Sequence, residues 1–299
     1  MRRIAVLAGA VAGLVLFGAS PVFAQNDRTT CEDDNSDGKI AACTRLLNGS
    51  LSAKDREKFS NERGVGYFRQ KEWDLAISDF DEAIRLNPKD NVLFGNRADS
   101  YRNKKEWDRA LSDINKAVQL DPNFAMAYAR MSVVRFNHGD FPRAAADAAR
   151  AYELRDRVSE RERLYITARH LTMTGDRQGL QQLYHLWKDT YPRDTTPRNN
   201  LASMLIYQGD YDGAIREALD ANRLDSGMPF PYVNLCWAYL AMNRLGEAKA
   251  IAARAIELHP GYAEARACTY RAAYLEGDHD AMRRIEAEST NAGAGAADA

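Results

Sequence analysis

The sequence predicts an all-α chain built as a linear stack of helix pairs. Three observations carry that reading. The phrase KEWDLAISDFDEAIRLNPKD, which opens at Lys71, returns as KEWDRALSDINKAVQLDPNF from Lys105, a step of 34 residues. A period of that size marks a solenoid, because one helix pair cannot bury both its faces and copies must stack. Within the copies, Ala76, Phe80 and Ala83, and again Ala110, Ile114 and Ala117, recur at i, i+4 and i+7, which is one stripe of a helix. Turn signals keep the same beat. Gly-Asp stands at Gly139, Gly175, Gly209 and Gly277, and Asn243 fills the one gap. Gly and Asn both tolerate the left-handed conformation that ends a helix.

The elements follow in order. Residues 1–24 read as a secretory signal peptide. Arg2 and Arg3 give a basic start, an apolar stretch runs from Ile4 to Phe17, and Ser20-Pro21 breaks it before Val22 and Ala24. Cleavage is expected after Ala24. The apolar run is shorter than the roughly 20 residues a spanning helix needs, so no stable membrane span is expected after cleavage. The mature chain is expected in the periplasm or outside the cell. Removing Arg2 and Arg3 leaves 39 basic groups against 42 acidic ones. So even a balance argues against a nucleic-acid platform, which would be strongly basic.

Residues 25–56 form a short polar segment with two cysteines. Export lets disulfides persist, and four cysteines allow three pairings. Cys31–Cys43 is the favoured link, because a terminal segment without its own core gains most from a staple, roughly 3 kcal/mol for a loop of that size. Cys236 and Cys268 read as small buried core residues. Asp33, Asn35, Asp37, Gly38 and Ile40 match the first half of a calcium loop. Thr44 stands where a bidentate acid is needed, and no helix is expected ahead of the loop after cleavage. The segment therefore reads as a polar turn in which Ser36 or Asp37 caps a helix over Lys39–Leu47. No metal is expected.

The repeats begin at about Glu57. Residues 57–158 hold three repeats, and 159–288 hold three more plus a partial capping repeat. Residues 289–299, small and glycine-rich, read as a flexible tail. The fourth repeat is displaced by two residues and degenerate, with Leu171, Leu180, Tyr184, Trp187 and Pro192 in its marked places. That irregularity suggests a bend between repeats 1–3 and the rest.

The marked places are Gly64, Tyr67, Ala76, Phe80, Ala83 and Pro88 in the first copy. In the second they are Ala98, Tyr101, Ala110, Ile114, Ala117 and Pro122. This pattern resembles the tetratricopeptide repeat. The resemblance implies a right-handed superhelical solenoid of tetratricopeptide helix pairs, whose first helices line a concave groove. The cysteine-bearing leader is similar to that of secreted tetratricopeptide proteins of Gram-negative bacteria, where it caps the first repeat. Residues 191–215 and 231–248 also resemble the tetratricopeptide halves of some bacterial kinases and membrane-bound transcription activators, without a kinase or DNA-binding segment here.

No enzyme is expected. The five histidines are scattered, and the sequence has no H-E-x-x-H, no paired C-x-x-C, no phosphate-cradling glycine loop and no G-x-S-x-G elbow. No cofactor is expected either. Asp79 and Asp81 read as solvated acids on a second helix. The expected function is an exported adaptor that binds a peptide or protein, as yet unidentified, in the groove. The alternative is an accessory or assembly factor for cell-envelope proteins or peptidoglycan enzymes.

Groove candidates come from the sixth place of successive repeats, which holds Glu62, Asn96, Arg130, Ile166, Asn200 and Asn234. Asparagines there can bond a peptide backbone, and Arg130 can take a carboxylate. In the later repeats Asn199, Ser203, Tyr207, Trp237, Arg271 and Tyr274 join them, with Trp237 as an aromatic anchor. The family's carboxylate clamp, which holds C-terminal peptides of heat-shock chaperones, is incomplete. Asn96 and Arg130 match it; Asn61, Val65 and Met126 do not.

Overall fold

The computed structural model describes residues 21–33, 38–260 and 262–294. Among these it shows sixteen α-helices, one short 3-10 turn and no strand. The chain divides into two compact units, one ending at Arg157 and the other starting at Val158. The expected signal segment through residue 20 lies outside the described residues. So do residues 34–37, where the calcium-loop and Ser36 or Asp37 capping readings fall.

The first unit opens with α1 (Pro21–Glu32) and α2 (Lys39–Leu47). A helix therefore does precede the polar turn, contrary to expectation, and its residues 25–32 lie beyond the expected cleavage point. Cys31 and Cys43 are joined, with S–S 2.07 Å and Cα atoms 5.0 Å apart. They share a small core with Ala42, Leu46, Leu47 and Phe59. Phe59 belongs to α3 (Ala53–Arg69), so the stapled hairpin covers the first face of the stack. Lys39 is buried there, and its Nζ donates to the Cys31 carbonyl at 2.7 Å and to Glu62 Oε2 at 2.5 Å.

Three hairpins follow. They are α3 with α4 (Trp73–Leu86), α5 (Asn91–Asn103) with α6 (Trp107–Leu120), and α7 (Ala125–Asn137) with α8 (Phe141–Glu153). Ala76, Ala83, Ala110 and Ala117 are wholly buried, and Gly64 lies against the Phe80 ring. Small side chains at these places let paired helices approach closely. Tyr67 and Tyr101 flank the contact, and the Arg63 and Arg97 guanidiniums lie 5.9 Å from their ring centres. Pro88 and Pro122 sit exposed on the links, where no helix need continue.

Asp79 is not solvated as expected. It is 6% exposed and takes a two-pronged ion pair from Arg63, at 2.7 and 2.8 Å. Asp113 is held by Arg97 in the same way, at 2.6 and 2.8 Å, and the third Arg97 nitrogen reaches Asp81 of the preceding hairpin at 2.5 Å. Two hairpins thus share one guanidinium. Asp147 receives a single prong, from Arg135 Nη1 at 2.7 Å. Burial outweighs that contact and pushes its carboxyl up to about 6.

The second unit holds four hairpins. They are α9 (Glu160–Thr174) with α10 (Arg177–Thr190), α11 (Thr195–Gln208) with α12 (Tyr211–Leu224), α13 (Pro229–Ala241) with α14 (Leu245–Leu258), and α15 (Ala263–Glu276) with α16 (His279–Ala294). The last pair is a complete hairpin, and α16 continues into the alanine-rich stretch read as tail. Side-chain caps start several of these helices. Ser159 and Glu162 form a reciprocal capping box, and Asp176 and Asp210 accept the amides of Gly179 and Gly213.

In the degenerate pair, Leu180 and Trp187 replace the buried alanines that repeats 1–3, 5 and 6 carry at these places. Their bulk sets α10 farther from α9 than the second helices of its neighbours stand from theirs. Trp187 Nε1 donates to Asp194 Oδ2 at 3.1 Å, and Arg161 Nε donates to the same oxygen at 2.9 Å. Burial raises the Asp194 pKa, but the Thr196 amide and Arg161 outweigh it and hold the carboxyl below its usual range.

Cys236 and Cys268 are more than small core residues. They are bonded to each other, Cα atoms 6.4 Å apart, and tie α13 to α15. That separation lies within the reach of a disulfide. No helix of the described residues is long and apolar enough to cross a membrane.

Candidate functional site

In both units the sixth-place residues reach back along the row of first helices. Asn96 Nδ2 on α5 donates to Asn61 Oδ1 on α3 at 3.0 Å. Arg130 Nε on α7 donates to Asp99 Oδ2 on α5 at 2.8 Å. Asn234 Nδ2 on α13 donates to the backbone and side-chain oxygens of Asn199 on α11, at 3.0 and 2.9 Å. Glu62 is engaged by Lys39, and Ile166 is buried. These side chains knit neighbouring hairpins together.

Arg130 illustrates how firmly. Its guanidinium lies across α5 so closely that a Cβ at position 95 would fall 2.5 Å from Nη1. Gly95 makes that lie possible. With its charge met by Asp99, Arg130 is not the open carboxylate receptor that its place in the sequence suggested.

The second unit is different. Two cavities open side by side along α11. The first, about 470 Å³, lies between α9, α10 and α11 and is lined by Leu171, Arg177, Leu180, Tyr184, Asn200 and Met204 among others. The second, about 520 Å³, lies between α11, α13 and α15, with Trp237, Tyr211, Asn234, Leu240, Arg271 and Leu275 in its wall. Ser203 and Tyr207 belong to both, so the cavities are continuous across one ridge. Tyr207 is 87% exposed on that ridge.

Asn200, Asn234, Trp237 and Arg271, singled out by position in the repeat, thus share this surface. Tyr184, Arg177 and Leu171 were not foreseen as part of it. The wide spacing of α9 and α10 opens the first cavity, and the signal for it was in the sequence: Leu180 and Trp187 stand at places that elsewhere hold alanine. Burial pushes the Tyr184 hydroxyl up to about 12, against a hydrogen bond with Asn200. Trp237 is half-buried, its inner edge against the unit's core.

Residues 58–90 and 93–124 each match the sequence signature of the tetratricopeptide repeat. The chain thus carries tetratricopeptide repeats. Solved structures agree in fold. A tetratricopeptide repeat protein from Parabacteroides merdae is 14% identical, with a TM-score of 0.58 over 84% of this chain and 99% of that one. Yeast Tom70 is 18% identical, with a TM-score of 0.56 over 94% of this chain and 62% of its own. The APC/C hetero-tetramer Cut9–Hcn1 contains a chain 16% identical, with a TM-score of 0.60; this chain covers about half of it, 49%. No curated protein sequence matches. The tetratricopeptide repeats recognised by sequence lie in the first unit, whereas both cavities lie in the second.

Proposed function

We propose that this tetratricopeptide-repeat chain is an exported adaptor that holds a peptide or protein partner against the first helices of its second unit. The observation that carries the reading is the pair of continuous cavities along α11. Each has the volume and the largely apolar lining of a site for a partner's side chains. Asn200 lines the first cavity, and Trp237 and Arg271 line the second. Asn234 ties α13 to α11 beside them, and Asn96 and Arg130 make the corresponding ties within the first unit. Two disulfides support export, since such bonds persist outside the cytoplasm. The reading is of binding and includes no catalytic step.

The test uses the mature chain from Gln25 as bait in periplasmic extract, beside a Trp237→Ala/Arg271→Glu double variant of equal helical content. A partner held by the parent and released by the variant is the expected result. A partner held equally by both places binding outside these cavities.

A further inference from the structure

Arg177 and Arg271 are the only charged side chains in the walls of the two cavities, one in each. Neither has an ion-pair partner among the described residues. Three acids near them in sequence are engaged elsewhere. Asp176 accepts the Gly179 amide at 2.8 Å and Asp278 the Ala281 amide at 2.9 Å, while Glu276 pairs with Lys249 at 2.8 Å. The contrast is with Arg130 of the first unit, whose charge Asp99 meets.

Cations left open beside apolar walls select what enters. A carboxylate brought to an unpaired guanidinium gains charge-assisted, two-pronged hydrogen bonds. A basic group brought there meets like charge, which excludes it. The remaining walls are aromatic and aliphatic. Trp237, Tyr207 and Tyr211 present ring surface in the second cavity, and Leu171, Leu180, Met204 and Tyr184 line the first. Such surfaces take a bulky apolar side chain.

The geometry points to an acidic, aromatic-bearing peptide segment as the occupant, with one bulky apolar side chain in each cavity and side-chain carboxylates reaching Arg177 and Arg271. This rests on the adaptor reading and specifies its partner's chemistry. The segment lies along α11, and the ridge formed by Ser203 and Tyr207 separates its two anchors. No free chain end is required, because the acids are side chains.

The experiment is an array of random peptides, acetylated and amidated so that no terminal charge is present, probed with the full oxidised chain. Bound peptides are expected to place Asp or Glu beside Phe, Trp, Tyr or Leu. The blocked hexapeptide Asp-Glu-Phe-Asp-Leu-Glu is then titrated. Arg271→Glu and Arg177→Glu, both at exposed positions, are each expected to weaken it at least tenfold with an unchanged helical signal. Tyr207→Ala gives an aromatic test free of folding cost, beside Trp237→Ala. Equal binding of basic or uncharged peptides overturns the assignment while leaving an adaptor. Acidic peptides bound undiminished by all four variants overturn it as well. A blank array does the same, and the comparison of parent with double variant in extract then shows whether the adaptor reading falls too.

Discussion

Lys71 and Lys105, the first letters of the duplicated phrase, have φ of 64° and 62°. They hold the left-handed place that Gly139, Gly175, Gly209 and Gly277 hold in other hairpins. A side chain there costs roughly 1–2 kcal/mol, and glycine's greater freedom in the unfolded chain returns part of it. Lys105→Gly is therefore expected to stabilise the chain by about 0.5–1 kcal/mol, read as a higher urea midpoint at an unchanged slope. The sequence showed glycine and asparagine in this role but gave no hint that lysine fills it, because nothing in its chemistry asks for that conformation. Asp147 supplies a second test. Its carboxyl titrates near 6 in the fold against about 3.9 unfolded, so between those values the native chain holds the extra proton. Stability contributed by this group falls as pH rises through that window. Asp147→Asn keeps an oxygen for Arg135 and does not titrate. Its stability relative to the parent is expected to rise by about 2 kcal/mol between pH 4 and pH 7. A constant difference across that range would show the carboxyl to be unshifted.

At the scale of elements, the alanine seam is what lets α3 meet α4 and α5 meet α6. Ala76→Leu or Ala110→Leu forces three more carbons into a filled contact and is expected to cost about 1–3 kcal/mol. Lys89→Leu on an exposed link should cost almost nothing. Equal thermal midpoints for the seam and link variants would refute the close-approach account. The helix pairs were legible because their period of 34, their seam alanines and most of their turns are local patterns. The groove's working parts were less so. The sixth-place asparagines and Arg130 look alike whether they face a ligand or the preceding hairpin, and only the positions of Asn61, Asp99 and Asn199 decide between them. The helix ahead of the polar turn was missed because α1 begins in the stretch read as signal. Arg177 is not legible because repeat four reads as degenerate, whereas its large residues hold α9 and α10 apart.

For the whole molecule, the two disulfides close loops of 12 and 32 residues. The entropy of loop closure assigns them about 3 and 4 kcal/mol. Mass mapping of the chain purified from the periplasm without reductant is expected to show both bonds and an N-terminus at Gln25. Free thiols at all four positions would count against export. Reductant is expected to lower the melting temperature, and the Cys236→Ser/Cys268→Ser variant should reproduce the share due to the second bond. That bond has a further consequence. Cys236 adjoins Trp237 in sequence, and Cys268 lies one helical turn before Arg271. Stacked hairpins loosen by opening between neighbours, which would pull these two side chains apart. The cross-link closes that seam when the chain oxidises, before any partner arrives. On the proposed reading, Trp237 and Arg271 are then already in place for a ligand, with little ordering entropy left to lose. On the proposed export reading, oxidation thereby acts on the rate of release: an occupant should leave the oxidised chain more slowly than the reduced one, even where both remain folded.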